Sequence, residues 1–474
     1  MAKTTFAIGG VHPDDSKLAR GCAIEVLPLP PVMYVSMAQH LGAPAKPVVS
    51  VGDRVLAGQV IAEPAGFISA FVHSPASGTV KAIAPFKDLA GREVPHIVIE
   101  VDGDEWVDGV DLSDTLVTEL PDRQVILDRV KACGVVGLGG ATFPTHVKLN
   151  PAPGSKAECL ILNGAECEPY LTSDYRIMLE RTKEILVGAA LMQKALGGCR
   201  TVVGIEENKP EAIAAMRSAL ASLPYSGMEI LPLRKKYPQG GEKQLIQAVM
   251  RREVGSGALP ISVGAVVQNV GTSLAVYEAV QKNKPLVTNI LTVTGNCLPV
   301  EKQHNYLFRI GMPLSYIAGY AGGVPEEAAK IVSGGPMMGR AVSNMEAAAV
   351  KGTSSILYLS EESTRRKAES GCIRCGRCAD ACPMGLEPFL LRRLYKAGDM
   401  EGLEANAVQD CIECGCCLYS CPAYIPLLDH IRQAKGAVLG AIRARAAAAK
   451  AAEEAKKRES GAAAPAAENT KKSE

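Results

Sequence analysis

"AECLILNGAECEPYLTSDYRIMLERTKEILVGAALMQKALGGCRTVVGIEE", residues 157–207, reads as strand, helix, strand. "AECLILNGAE" is a short apolar run, the mark of a strand buried on both faces. "YRIMLERTKEILVGAALMQKAL" has the spacing of an amphipathic helix, and "RTVVGIEE" is a second strand. The grammar continues with a helix at "KPEAIAAMRSALAS", a strand at "MEILPLR" and a helix at "GGEKQLIQAVMRRE". Strands that alternate with covering helices predict a parallel, Rossmann-like sheet over residues 121–285. Ligands of such sheets bind beyond the carboxyl ends of the strands.

The flanking segments differ in kind, so the class is multidomain α/β. Residues 1–120 are β-rich, with "VGDRVLAGQ" and "SPASGTV" as two similar halves broken by glycine turns. This resembles a biotinyl/lipoyl barrel-sandwich. A carrier of that type needs a lysine at the hairpin tip, and none occurs between Pro47 and Val80. An unmodified module is therefore expected. Residues 286–360 return to short strands and glycine turns, a small α+β module, and residues 361–436 hold the cysteine motifs. From 437 to 474 the chain is Ala/Lys-rich, with eight basic and five acidic side chains from Gly440 onward, and reads as a weak helix fading into a flexible, solvated tail.

At 474 residues the chain exceeds a single core, and its net charge of +1 offers no field to recruit nucleic acid. The start has no signal-peptide pattern, and no run of eighteen apolar residues occurs. A cytosolic protein, able to dock on a membrane through a partner, is the expectation. Cysteines in that compartment are more often metal ligands or buried small hydrophobes than disulfides.

Nine of the fifteen cysteines fall in two short stretches. Cys372, Cys375, Cys378 and Cys382, followed by Pro383, spell C-x2-C-x2-C-x3-C-P, and Cys411, Cys414, Cys417 and Cys421, followed by Pro422, repeat it. Zinc sites and disulfides are the alternatives, but zinc usually takes two separated C-x2-C pairs. The tandem repeat points to two [4Fe-4S] clusters in which each fourth cysteine serves the other cluster. Cluster one then takes Cys372, Cys375, Cys378 and Cys421; cluster two takes Cys411, Cys414, Cys417 and Cys382. Gly376 and Gly415 let the backbone wrap each cluster. Cys416 is off the spacing and reads as a bystander. Such clusters pass single electrons and transform no organic molecule, so something else must stand at the other end.

"CGVVGLGGATFPTHVKLN", residues 133–150, matches neither a Walker loop nor a dinucleotide fingerprint. Its glycines offer amides to a flat anionic cofactor, with Lys148 as a cation; a simple turn is the bland reading. After the 157–166 strand, Asn163, Glu166 and Glu168 would line the ligand crevice, or would form an ordinary polar loop.

"GLGGATFPTHVK" resembles the "GRGGAGFPTGLK" loop of the flavin-bearing, NADH-oxidising subunit of respiratory complex I. "NGAECEP", "GGEKQL" and "QNVGTSLAV" are similar to that subunit's "NADEGEP", "GEETAL" and "NNVETLANV". "GMPLSYIAGYAGG" (311–323) resembles its soluble-ligand-binding β-grasp module. With "GGVHPDDSK" at the start and the ferredoxin repeats at the end, the order of motifs resembles the family of RnfC (RsxC) proteins, components of the Rnf (Rsx) ion-translocating electron-transport complexes. That resemblance implies non-covalent FMN, with NAD(H) as substrate. By position Gly137, Gly139, Gly140 and Lys148 would hold the phosphate side of FMN, and Asn163, Glu166, Asn269 and Thr272 would be further contacts. Glu168 and Glu242 would face the nicotinamide nucleotide, with Phe143 as a stacking surface. Ala165 and Gly241 replace acidic residues of the family pattern. NADH yields an electron pair and a cluster takes one electron, so a flavin is the converter this combination needs. The implied partners are the ferredoxin-like RnfB protein, membrane proteins of the complex that move sodium or protons, and ferredoxin. The implied place is the cytoplasmic side of a bacterial inner membrane. A soluble cobalamin reductase and a flavin-free ferredoxin-like adaptor are the rival readings.

Overall fold

The computed structural model describes residues 4–462, and the chain divides into two compact units, residues 1–367 and 368–474.

The first unit is organised around a four-stranded sheet in the order Met228–Leu233, Arg200–Glu206, Cys159–Gly164, Ala265–Asn269. Every pairing in it is parallel, with Val202 opposite Ile161 and Ala265 opposite Cys159. Leu160, Ile161, Leu162, Val202, Val203 and Ile205 are buried, as strands covered on both faces require. The helix expected over 175–196 is two, Ser173–Glu180 and Thr182–Ala195. Arg181 leaves helical geometry at φ −126°, ψ 36°, while the Thr182 hydroxyl bonds back to the Met178 carbonyl at 2.7 Å. The second of these helices is buried without a break from Ile185 to Met192, so it is a core helix rather than an amphipathic one. It crosses Val270–Gln281 at Gly188, where a Cβ would lie 1.9 Å from the Ser273 carbonyl oxygen.

The N-terminal module packs two antiparallel sheets. One runs in the order Val32–Ser36, Glu93–Gly103, Ser77–Lys87, Arg54–Val55; the other is Lys46–Pro47, Val60–Glu63, Val72–His73. Val35, Val55, Ile61, Val80, Ile97 and Ile99 form its core. Its hairpin tip carries Phe67, 83% exposed, where a carrier would present lysine. Residues before this module belong elsewhere. Ile24–Val26 pairs in parallel with His304–Arg309 as the edge of a six-stranded sheet that also contains Thr288–Gly295, Ser355–Ser360, Ala328–Ser333 and Arg340–Ala341. Thr4 and Val11 bridge to Leu233 and Tyr237, so an N-terminal arm lies on the parallel-sheet domain.

The second unit is helical, with Pro388–Ala397, Met400–Ala405 and Leu427–Ala462 packed around Leu391, Leu403, Val408, Ile425 and Ile431. Both cysteine motifs trace the same path. Arg374 (φ 56°) and Gly376 (φ 78°) in the first correspond to Glu413 (φ 57°) and Gly415 (φ 80°) in the second. The stretch from 437, expected to begin as a weak helix, is helical to Ala462 as part of Leu427–Ala462, and the remaining residues of the expected flexible tail lie outside those described.

Candidate cofactor sites

The carboxyl ends of the parallel strands carry polar side chains on which a glycine-rich loop is folded. Asn163 and Asn269 stand at the carboxyl ends of adjacent strands. Asn269 caps Val270–Gln281 by accepting the Gly271 N–H at 2.7 Å, and its amide donates to Asp174 Oδ2 at 2.8 Å. The Asn163 amide donates to the Gly240 carbonyl at 2.8 Å. Over this edge folds the 137–143 loop, closed by a bond from the Gly137 N–H to the Phe143 carbonyl at 2.8 Å. Thr272 is fully buried and accepts the Leu138 N–H at 2.8 Å, so it supports the loop from below. Gly139, Gly140 and Ala141 are exposed at the crest, and Phe143 is half-buried. Lys148 pairs with Glu242 at 2.8 Å and also donates to the Val267 carbonyl at 3.2 Å, joining the expected phosphate-side cation to an expected nucleotide-side carboxylate.

This strand-end edge has features that suit a flat polar cofactor. Gly139 is in the left-handed region (φ 83°), where a Cβ would stand 2.8 Å from Asn269 Nδ2; one on Gly240 would stand 3.3 Å from Cys167 Sγ. A Cβ on Gly140 would meet nothing within 4 Å, so that side is open. Among the described residues, the buried Gln239 Nε2 and Gln268 Nε2 beside the strand ends have no hydrogen-bond partner. The donor set of backbone, amides and one ammonium suits FMN.

The two glutamates of "NGAECEP" are already engaged. Glu166 Oε1 accepts the N–H of Asp174 at 2.7 Å, capping Ser173–Glu180, and its own backbone is left-handed (φ 45°). Glu168 accepts the N–H groups of Met337 and Met338 at 3.1 and 2.8 Å, and the Tyr237 hydroxyl at 3.4 Å. Burial raises its pKa, and these three donors partly offset the shift. Glu168 thus joins the parallel-sheet domain to the turn after Ala328–Ser333. Asp174, which sequence reading passed over, is half-buried beside Glu166; desolvation first, then the Glu166 charge, push its carboxyl up to about 7. Lys17 and Lys209 were also missed. They reach the same loop from distant segments, and nothing in their local sequence signals it.

In the second unit Cys382, Cys411, Cys414 and Cys417, the expected cluster-two set, line one cavity with Cys416 and Ile412. A thiol from the first repeat thus joins three from the second. Cys378 in turn lies within electrostatic reach of Cys421. Cys372 and Cys375 are exposed, whereas Cys382, Cys414 and Cys417 are buried. Among the described residues no three His, Cys, Asp or Glu side chains form a group that could hold a metal ion. The four thiols surround a cavity instead, an arrangement suited to a cluster whose corners bind separate sulfurs. Glu413, also unforeseen, braces the second motif: Arg432 and Lys435 each reach its carboxylate at 3.1 Å.

Family models match four stretches: an RnfC barrel sandwich hybrid domain over 5–104, a Nuo51 FMN-binding domain over 130–278, an SLBB domain over 290–341 and a 4Fe-4S dicluster domain over 365–422. The chain is 46% identical over 385 residues to the C component of a proton-translocating ferredoxin:NAD(+) oxidoreductase complex of Clostridium ljungdahlii, covering 81% of this chain and 83% of that protein. It is 43% identical over 437 residues to the C component of an ion-translocating oxidoreductase complex of Rhodobacter capsulatus, covering 91% and 83%. It is 41% identical over 437 residues to the C component of a Na(+)-translocating ferredoxin:NAD(+) oxidoreductase complex of Acetobacterium woodii, covering 91% and 96%. Among the described residues no helix is long and apolar enough to cross a membrane.

Proposed function

The chain belongs to the RnfC family of ion-translocating oxidoreductase complexes, and from that membership we propose that it exchanges electrons between NAD(H), FMN and two [4Fe-4S] clusters. When bound, the flavin supplies conversion between an electron pair and single electrons, and the clusters supply one-electron carriage. The rest is the work of this chain's residues. The 137–143 loop and Lys148 hold the anionic end of FMN; Asn163 and Asn269 orient its polar edge. Glu242 tempers the Lys148 charge through their ion pair. Glu168 fixes the wall of the site through the 337–338 amides and sets the nucleotide's place. Cys372, Cys375, Cys378 and Cys421 hold one cluster, and Cys382, Cys411, Cys414 and Cys417 the other.

The chain works as a peripheral component on the cytoplasmic side of a bacterial inner membrane. Its partners are the ferredoxin-like RnfB protein, the ion-moving membrane proteins of the complex and ferredoxin. The observation that carries this reading is the glycine-rich loop at the end of the parallel sheet, on the same chain as a cavity drawn from both cysteine repeats. Anaerobic purification tests it: about one FMN, with about eight irons and eight sulfides, per chain. Protein that takes up four irons or fewer, or that binds no flavin, refutes it.

A further inference from the structure

The N-terminal arm delivers one side chain into the interior of the parallel-sheet domain. The Lys17 ammonium donates to the carbonyls of Glu166, Glu168 and Leu171 at 2.8, 2.8 and 2.6 Å, and lies 3.8 Å from Glu166 Oε2. Three acceptors saturate an ammonium. Its side chain is only 10% exposed. Lys209 reaches the same loop and donates to the Ala165 carbonyl at 2.7 Å, while the Tyr170 N–H donates to the Asp15 carbonyl at 2.9 Å. The segment so held is one that does not rest where it is unaided. Glu166 (φ 45°) and Tyr170 (φ 70°) are both in the left-handed region, which side-chain-bearing residues seldom enter without outside constraint.

The same segment shapes the proposed site. It carries Glu166, which caps Ser173–Glu180; Cys167, whose sulfur accepts the Gly240 N–H at 3.3 Å; and Glu168, which holds the 337–338 turn. Lys17 lies outside the stretch matched to the FMN-binding domain and within that matched to the barrel sandwich domain. We propose that Lys17 is a positioning residue for the flavin and nucleotide site, its ammonium fixing residues 166–171 in the shape that presents Glu166 and Glu168. The flavin domain of this chain is completed by its arm. This rests on the functional reading above.

The test uses full-length, cluster-loaded protein stripped of flavin, with Lys17→Ala beside the parent. FMN affinity is read from quenching of flavin fluorescence, and NADH reactivity from bleaching of the flavin band. Iron content and far-ultraviolet circular dichroism report the rest of the molecule. Lys17→Ala should bind FMN at least ten-fold more weakly and need more NADH for half-maximal bleaching, with iron content and dichroism unchanged. Added n-propylammonium, which refills the missing chain and charge, should restore much of the affinity. A Lys17→Ala protein that binds FMN and bleaches with NADH like the parent overturns the inference alone. So does loss of affinity that the amine fails to rescue, or collapse of the whole fold, iron included, because either denies a local role. A parent that takes up no FMN overturns the functional reading and this inference together.

Discussion

Gly139 and Gly140 are neighbours that should respond oppositely to the same added methyl group. At Gly139 the backbone is left-handed and a Cβ would press on Asn269 Nδ2 at 2.8 Å. Gly139→Ala therefore costs about 1–2 kcal/mol from conformation alone, with a further loss if Asn269 is pushed off its Asp174 bond. At Gly140 the backbone is not left-handed, and a Cβ meets nothing within 4 Å. Gly140→Ala should then leave the flavin-free protein unchanged or stabilise it by roughly 0.4–1 kcal/mol, through a stiffer unfolded chain. If the open space beside Gly140 is where FMN sits, the same methyl must collide with the cofactor. The assay pairs thermal unfolding of flavin-free protein with FMN titration. Gly139→Ala should lower the melting temperature of the first unit by about 1–3 °C and also weaken FMN binding. Gly140→Ala should keep or raise the melting temperature yet bind FMN about ten-fold or more weakly, equivalent to ~1.4 kcal/mol. A Gly140→Ala protein with parental FMN affinity would refute the placement of the cofactor beside this loop.

Each Glu168 carboxylate oxygen accepts one amide N–H, so Glu168→Gln sets a donor against one of the two and should cost about 1–3 kcal/mol; amide exchange in the Met337–Met338 turn should quicken and NADH-dependent bleaching weaken, and unchanged exchange would count against the clamp. Asp174 gives a pH dependence: its folded pKa of about 7 lies above the usual carboxylate value of 3.8, so its stabilising contribution is complete below about pH 4 and is lost as pH rises to about 7. Asp174→Asn should flatten that slope in urea titrations of flavin-free protein, and an identical slope would dismiss this carboxyl as its source. Cys378→Ser should lose about half the iron, whereas Cys416→Ser, though its residue lines the same cavity as Cys382, Cys411, Cys414 and Cys417, should keep all of it; iron lost from the Cys416 variant would reassign a ligand.

What the sequence disclosed depended on how local each signal is. Strands Cys159–Gly164 and Arg200–Glu206 were readable because a strand buried on both faces is an unbroken apolar run. That Cys382 would stand with Cys411, Cys414 and Cys417 was expected from the known cross-ligation of tandem ferredoxin repeats, and those four do line one cavity, with Cys416 beside them. The break at Arg181 was invisible, because an apolar helix pattern continues through it and the kink is set by packing. The loan of Ile24–Val26 to a strand at 304–309 leaves no periodic trace, nor does Lys17 reaching a carbonyl 149 residues away. The roles of Glu166 and Glu168 were legible only in part. Their place at a strand end could be read, but the amides they accept could not, since backbone N–H groups carry no sequence label.

The order of electron movement is the centre of the account. NADH mixed anaerobically with the loaded protein should bleach the flavin band first, with the iron–sulfur signals in electron paramagnetic resonance following. A variant lacking Cys411, Cys414 and Cys417 should keep FMN, bleach at the parental rate and still reduce ferricyanide. Clusters reduced by NADH in protein stripped of FMN, or a cysteine variant that holds FMN yet no longer reacts with NADH, would contradict it.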